Sequence, residues 1–330
     1  MRYLIIGAGA VGGTIGGRLY DSGHDVVLVA RGAHRDALRA HGLRLELPER
    51  TLTLPIPVVD GPADLDPRPD DVLLLATKTQ DTAAALQTWS GYADRPGAGG
   101  PAVVCAQNGV ENERLALRRF RDVYPMCVWM PSSHLEPGVV QAPGAPLTGI
   151  LHLGRYPSGT DDTARRISAD LSQSGFDAPV VPDVMAWKYG KLLSNLANAL
   201  EAVRGPVDDD RQQELFRRIK AEGAAALEAA GITPVTPAEQ ARVRGDRVEL
   251  RTLNGRARGG GSSWQSLMRG TGSIEADYLN GEIVLLGRRF GVPTPLNEAV
   301  QRTAGRFARE RRRPGDLTAA ELTALLDAGR

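Results

Sequence analysis

Only four of the 40 basic side chains are lysines, at positions 78, 188, 191 and 220, and the other 36 are arginines. Arginine stays protonated in proteins, whereas the lysine amine can release a proton, so each lysine is a candidate for proton chemistry. Asn195 and Asn198 follow Lys191 by four and seven residues, which places the three side chains on one face of a predicted helix. Because most of that face is apolar, the polar groups predict a buried hydrogen-bonded network or a ligand site.

A second pattern is the run Gly7-Ala8-Gly9-Ala10-Val11-Gly12, which follows a short apolar strand and opens a helix of small residues. In dinucleotide-binding folds the first glycine permits a tight turn, the second lets a pyrophosphate approach the backbone, and the third lets helix and strand pack closely. N–H groups at the helix N-terminus bind the phosphates. The run therefore predicts a dinucleotide site.

The end of the second predicted strand indicates which dinucleotide binds. It ends in Arg31, without the Asp or Glu that usually holds the ribose 2′-hydroxyl of NAD. An arginine there can pair with a 2′-phosphate and stack on adenine, so the sequence favours NADP(H). Arg35 is either a second phosphate contact or a solvated helix residue.

Two further polar side chains follow predicted strands. Lys78 comes after the third strand and Asn108 after the fourth. Ligands of open α/β sheets bind beyond the carboxyl ends of the strands. We therefore expect Lys78 to bind cofactor phosphate or ribose, and Asn108 to bind the nicotinamide ribose or the substrate. A solvated lysine and an Asn-Gly turn are the structural alternatives.

The elements that must position these groups change along the chain. Apolar runs at 3–6, 25–29, 72–76, 102–106 and 123–130 alternate with helical stretches and predict a parallel sheet, and the alternating 43–47 predicts a more exposed strand or hairpin. Helices are predicted at 160–174, 183–202, 210–231, 274–290 and 297–311. The predicted fold class is α/β: an NADP-binding Rossmann-type domain over residues 1–180, followed by an all-helical substrate-binding domain over 181–330.

Composition narrows the partners and the compartment. A net charge of +1 gives no reason to expect nucleic acid or a membrane surface as partner. Cys105 and Cys127 are too few for a disulfide framework or a four-cysteine zinc site, and they suit a reducing cytoplasm. We predict no metal site, and we interpret Asp208-Asp209-Asp210 as a helix cap. A cytoplasmic protein with a small-molecule substrate is expected, with the oligomeric state open and a homodimer as one option.

The ordered series of motifs resembles the ketopantoate reductase family, the NADPH-dependent 2-dehydropantoate 2-reductases, along nearly the whole chain. The resemblance is carried by residues 7–12 with Arg31, Thr77-Lys78, Gln107-Asn108-Gly109, residues 187–195, Ser262-Ser263 and residues 275–281. It implies a Rossmann domain packed on an all-helical domain, with the active site in the cleft between them.

The resemblance also implies a role for each matching position in the helical half. Lys191 matches the catalytic lysine and Asn195 its substrate-binding neighbour. Ser263 matches the serine that holds the substrate carboxylate, and Glu275 matches the glutamate that contacts the lysine, the cofactor or both. Asn198 lies close to a further substrate-binding asparagine of the family.

Matching positions in the first half imply cofactor contacts for Lys78 and Asn108. One position departs from the family, because Ala199 stands where the family has an asparagine eight residues after the lysine, and Asn198 comes one residue earlier. The departure weakens the case for pantoate as the product, but it leaves the type of reaction unchanged.

The implied reaction is the NADPH-dependent reduction of a 2-keto acid to a 2-hydroxy acid, with 2-dehydropantoate, the precursor of pantoate in pantothenate biosynthesis, as first candidate. Lys191 as an ammonium would stabilise and protonate the alkoxide that forms at C2. A D-2-hydroxyacid or mandelate-type dehydrogenase on the same scaffold is the alternative enzyme. A non-catalytic NADP-binding sensor, with the arginines of 309–313 on nucleic acid, is the alternative outside the enzyme class.

Overall fold

The computed structural model describes residues 1–97, 99–205, 210–253, 255 and 259–327. The chain divides into two compact units. Unit 1 comprises Met1–Lys188 and Pro237–Arg258, and unit 2 comprises Tyr189–Thr236 and Gly259–Arg330. The chain therefore returns to unit 1 after the first part of unit 2. The division into domains at residue 180 remains a prediction.

The strands of the described residues belong to unit 1. They are Arg2–Ile6 (β1), Asp25–Val29 (β2), Leu43–Glu46 (β3), Thr51–Leu54 (β4), Val58–Val59 (β5), Asp71–Leu75 (β6), Ala102–Cys105 (β7), Val123–Trp129 (β8), Val139–Gln141 (β9), Gly144–Pro146 (β10), Gly149–Leu153 (β11), Phe176–Asp177 (β12) and Val248–Leu250 (β13). Eight of them form one sheet in the order β12-β11-β8-β7-β6-β1-β2-β5. Only the β8–β11 pair in this sheet is antiparallel. The five predicted parallel strands are confirmed.

Helices lie in both units. They are Ala10–Asp21 (α1), Gly32–His41 (α2), Thr79–Ala93 (α3), Asn112–Leu117 (α4), Asp162–Gln173 (α5), Val184–Asn195 (α6), Ala197–Arg204 (α7), Asp210–Ala229 (α8), Pro237–Arg244 (α9), Ser262–Met268 (α10), Asn280–Phe290 (α11), Pro295–Arg309 (α12) and Ala319–Asp327 (α13). Helices occupy most of each segment predicted as helical in the second half, although two of those segments are divided, at Leu196 and at Leu279. The described residues of unit 2 contain no strand. Asp208 and Asp209 of the predicted cap lie outside the described residues.

The continuous apolar run of β6 explains its place inside the sheet. Val72 and Leu74 belong to one buried hydrophobic cluster, and Leu73 and Leu75 belong to another. Successive side chains of a strand point to opposite faces, so both faces of β6 are covered. β1 lies between β6 and β2, which places the point where the strand order reverses at the carboxyl end of β1.

The alternating leucines form the predicted hairpin, in which β3 pairs antiparallel with β4. The prediction that this segment is more exposed was wrong for its leucine face, because Leu43 and Leu45 are buried. This face packs on α1 at Gly17, where a Cβ atom would lie 2.9 Å from Leu45 Cδ2. The small residues of α1 thus allow the hairpin to cover it.

A single residue, Leu196, interrupts the helix predicted over 183–202 and separates α6 from α7. The Asn280 amide donates to the Leu196 carbonyl at 3.1 Å and to Asn297 Oδ1 at 3.0 Å. Asn297 in turn donates to the Ile219 carbonyl at 3.0 Å. Buried hydrogen bonds therefore hold the interruption against α11, α12 and α8.

No helix in the described part of the chain combines the length and the hydropathy needed to cross a membrane. The cytoplasmic location remains a prediction.

Candidate active site

The glycine-rich run forms the turn between β1 and α1. Gly7 has φ of +99°, which favours glycine, and a Cβ atom there would lie 2.9 Å from the Thr77 amide nitrogen. A Cβ atom on Gly12 would lie 2.2 Å from the Gly7 carbonyl oxygen and 2.9 Å from Ile5 Cγ2. The first and third glycines therefore make the turn and the close helix-to-strand packing that the sequence predicted.

Gly9, the second glycine, differs from Gly7 and Gly12 because open space surrounds the position of a Cβ atom there. It caps the N-terminus of α1, and the nearest atom to a Cβ placed there, His134 Cδ2, would be 4.0 Å away. No acidic side chain occupies the first turn of α1. The turn therefore leaves room for an anion at the N-terminus of α1. The N–H groups of the first helical turn point into this space, as the binding of a cofactor pyrophosphate requires.

Arg31 lies two residues after the end of β2 and caps α2. Its side chain is 87 % exposed, and its guanidinium is 3.7 Å from the Asp81 carboxylate. Arg35 differs, because it contacts Asp36 at 2.7 Å and Asp60 at 2.8 Å, and these carboxylates raise its pKa. Of the two arginines, Arg31 is therefore the one whose guanidinium can turn to a ligand.

The two loops that carry Lys78 and Asn108 are joined by hydrogen bonds. Gln107 Nε2 donates to the Thr77 carbonyl at 2.9 Å, and the Thr79 hydroxyl donates to the Asn108 carbonyl at 3.3 Å. Lys78 caps α3, and both Lys78 and Asn108 are half-buried. The structure thus brings together the carboxyl ends of β6 and β7, as a parallel sheet requires.

In unit 2, Lys191 and Asn195 lie on α6, Asn198 lies on α7, and all three side chains are half-buried. α10 packs on α7 and begins after Gly261, where a Cβ atom would lie 3.9 Å from Asn198 Oδ1. Ser263 is 2 % exposed, and its hydroxyl has no hydrogen-bond partner within the described part of the chain. A buried hydroxyl without a partner costs about 1–3 kcal/mol, so Ser263 is suited to a ligand.

Glu275 is buried. The helix predicted over 274–290 would place it in the first turn of an α-helix, but the structure does not. Glu275 begins the 3-10 turn Glu275–Tyr278, and α11 starts at Asn280. Its charge acts on a cation that sequence reasoning missed, Arg269. Burial lowers the pKa of Arg269, and the charge of Glu275 opposes that shift in part. Among 36 arginines, no local pattern distinguishes Arg269.

Two family models match the chain. The first, described as Ketopantoate reductase PanE/ApbA, matches residues 3–158, and the second, described as Ketopantoate reductase PanE/ApbA C terminal, matches residues 183–306. The chain belongs to the ketopantoate reductase family. It is therefore an oxidoreductase that acts on a CH–OH group with a nicotinamide dinucleotide, which confirms the predicted family, fold class and enzyme class.

Relatives of this ketopantoate reductase family member cover most of its length. A 2-dehydropantoate 2-reductase of Pyrococcus horikoshii is 26% identical, covering 90% of this chain and 94% of the relative. One of Mesorhizobium japonicum is 29% identical, covering 94% and 99%. A crystal structure of a PanE/ApbA family ketopantoate reductase from Ralstonia eutropha aligns with a TM-score of 0.76 and 26% identity, covering 94% of this chain and 100% of that one.

A ternary structure of D-mandelate dehydrogenase with NADH and anilino(oxo)acetate aligns with a TM-score of 0.79 and 22% identity, covering 94% of this chain and 99% of that one. At this identity the similarity shows a shared fold.

Lys188, to which the sequence assigned no role, is buried and forms an ion pair with a carboxylate. Its side chain is 2% exposed and contacts the carboxylate of Glu113, which is fully buried on α4. Cys105 lies close by, and burial together with the charge of Glu113 raises the pKa of its thiol. Within this reductase Lys188 is therefore a structural residue of unit 1.

The arginine run after α12 also has structural partners. Arg312 contacts Glu321 at 2.7 Å, and its guanidinium lies 3.8 Å from the centre of the Phe307 ring. Hydrogen bonds from Arg312 and from the backbone of Thr318 lower the pKa of Glu321 to about 2. These contacts favour the interpretation of a capped helix end over that of a nucleic-acid contact.

Proposed function

We propose that this chain reduces a 2-keto acid to the 2-hydroxy acid with NADPH, and that 2-dehydropantoate is the preferred substrate. The observation that carries the proposal is the Ser263 hydroxyl at the start of α10. It is buried without a hydrogen-bond partner among the described residues, two residues after Gly261, the glycine that approaches Asn198. A substrate carboxylate would accept its hydrogen bond and remove the cost of leaving the hydroxyl unpaired.

The remaining residues divide between cofactor and substrate. We assign the turn Gly7-Ala8-Gly9-Ala10-Val11-Gly12 to the pyrophosphate, and we assign Lys78 and Asn108 to the nicotinamide half of the cofactor. Asn195 and Asn198 would bind the substrate, and Asn108 would also reach it. The exposed Arg31 would bind the 2′-phosphate.

Lys191 and Glu275 carry the proposed proton chemistry. The bound cofactor supplies a hydride to C2 of the keto acid. The Lys191 ammonium stabilises the developing alkoxide and gives it a proton, which an arginine at the same position would retain. Glu275 would hold the lysine, the cofactor or both, and the charge of its carboxylate also acts on the half-buried Arg269.

A panel of 2-keto acids tests the proposal, with consumption of reduced nicotinamide as the measurement. We expect 2-dehydropantoate to have the highest kcat/KM among 2-dehydropantoate, pyruvate and phenylglyoxylate. A clear preference for phenylglyoxylate would instead support the mandelate-type alternative, to which the shared fold and the buried Ala199 point. Cofactor binding without reduction of any keto acid would indicate the non-catalytic sensor.

Replacing Arg31 with alanine tests the preference for NADPH. One charge-assisted contact with a phosphate is worth roughly 1.5–3 kcal/mol, so we expect KM for NADPH to rise about 10–100-fold. KM for NADH should change much less, because NADH has no 2′-phosphate. The control is Arg35→Ala, since Arg35 is held by Asp36 and Asp60. Equal changes for both cofactors would show that the 2′-phosphate is bound elsewhere.

A further inference from the structure

Glu201 is a second polar side chain on the face of α7 that carries Asn198. The two residues are three positions apart, so their side chains are neighbours on the surface of the helix. Both are half-buried, and neither side chain has a hydrogen bond or an ion pair within the residues that the structure describes. An amide and a carboxylate are therefore available side by side to a ligand.

Gly261, the residue that precedes α10, lies against both of these groups. A Cβ atom on Gly261 would lie 3.8 Å from Glu201 Oε2 and 3.9 Å from Asn198 Oδ1. Its φ is −69°, which any residue adopts, and no described atom comes close enough to the Cβ position to exclude a side chain. Neither the backbone conformation nor the packing therefore requires glycine here. A side chain would, however, fill the space that the amide and the carboxylate border.

The two glycines before Gly261 hold an aromatic ring. A Cβ atom on Gly259 would lie 2.6 Å from Trp264 Cη2, and one on Gly260 would lie 2.6 Å from Trp264 Cγ. The absence of side chains at both positions lets the indole pack on the backbone, and this packing fixes the path of the segment into α10. The space beside Gly261 is thus bordered by α7 on one side and by a packed segment on the other.

The chemistry of the two side chains limits what can occupy this space. A carboxylate only accepts hydrogen bonds, whereas an amide both donates and accepts them. A substrate carboxylate is disfavoured beside Glu201, because two negative charges would face each other. A hydroxyl group fits both partners, since it can donate its proton to Glu201 and accept a hydrogen bond from the Asn198 amide.

We propose that Glu201 binds a hydroxyl group at C4 of the substrate and thereby selects 2-keto acids that carry one. This inference rests on the proposed function and deepens it. Ser263 binds the carboxylate at C1, Lys191 acts on the oxygen at C2, and Glu201 with Asn198 binds the hydroxyl at C4. 2-Dehydropantoate has such a hydroxyl. A hydrogen bond to an ionised group is stronger than one between neutral groups, so the carboxylate contributes most of the selectivity.

Two keto acids that differ only in this hydroxyl test the inference. They are 2-dehydropantoate and 3,3-dimethyl-2-oxobutanoate, in which a hydrogen replaces the hydroxyl at C4. Loss of a hydrogen bond to a charged group corresponds to about 10–100-fold in kcat/KM, and we expect the wild type to prefer 2-dehydropantoate by that factor. The measurement is the consumption of NADPH by the full chain at saturating NADPH.

Glu201→Met keeps the length of the side chain but removes the acceptor. It should lower kcat/KM for 2-dehydropantoate by about 10–100-fold and should not lower kcat/KM for 3,3-dimethyl-2-oxobutanoate. Glu201→Gln keeps a neutral acceptor, so its selectivity should lie between that of the wild type and that of Glu201→Met. Glu228→Met, at an exposed glutamate of α8, is the matched control and should keep the wild-type values for both keto acids.

Two kinetic results would contradict the inference. An equal fall for both keto acids in Glu201→Met would show that Glu201 supports the helix or the part of the site that both substrates share. An unchanged kcat/KM for 2-dehydropantoate would show that the hydroxyl is bound elsewhere.

Binding of the two product acids distinguishes this inference from the proposed function. With NADP⁺ bound, the wild type should bind pantoate about 10–100-fold more tightly than 3,3-dimethyl-2-hydroxybutanoate in calorimetry, and Glu201→Met should bind the two equally. This measurement needs no turnover, so a chain that reduced no keto acid would refute the proposed function without changing the expected binding. Equal binding of the two acids by the wild type, or binding of neither, would overturn the inference.

Discussion

Lys191→Arg is expected to lose most of the turnover of this reductase while keeping its fold and its affinity for NADPH. The arginine retains a positive charge beside the alkoxide, but it cannot release a proton to it. Removing a general acid lowers the rate by about 10²–10⁴-fold, and we expect kcat to fall within that range. The measurements are kcat with the best keto acid of the panel, Kd for NADPH, and Tm.

Lys220→Arg is the matched control for this change. Lys220 lies on α8, and its ammonium is 4.3 Å from the centre of the Phe216 ring, a contact that an arginine also makes. Its kcat should therefore equal the wild-type value. If Lys191→Arg retained a kcat close to that of the wild type, the assignment of Lys191 as the proton donor would be wrong.

Lys188→Met is expected to have the largest effect on stability. It leaves the Glu113 carboxylate, which has no exposed surface, without its only cationic contact in the described residues. Removing one partner of a buried ion pair typically costs about 3–5 kcal/mol, and we expect the free energy of unfolding to fall by that amount. Denaturant unfolding, followed by circular dichroism, measures the change.

The double variant Lys188→Met/Glu113→Leu distinguishes this explanation from a simple loss of packing. With both charges removed, no uncompensated carboxylate remains, so most of the lost stability should return. Lys220→Met, on the partly exposed surface of α8, should change stability by less than about 1 kcal/mol. A double variant as unstable as Lys188→Met would show that the charge of Glu113 is not the cause.

Local patterns were sufficient for the fold class and for the glycine-rich turn. The parallel sheet follows from alternating apolar runs and helices, and the roles of Gly7 and Gly12 follow from their spacing between a short apolar strand and a helix. In both cases a short pattern along the chain identifies the structure, although the contacts that it makes reach distant residues such as Thr77. The helix break at Leu196 was not predictable, because it depends on Asn280, a residue 84 positions away.

Composition directed attention to the lysines, but it did not separate their roles. Lys188 and Lys191 lie one turn apart on α6 and look alike in sequence, yet Lys188 is buried against Glu113, 75 positions away. Residue type and spacing therefore predicted a dinucleotide site and a lysine-bearing helix, whereas the reductase activity was implied by the resemblance to the ketopantoate reductase family, which the family models confirm. Which charges are paired depends on burial and on contacts between distant segments, and only the folded chain brings those segments together.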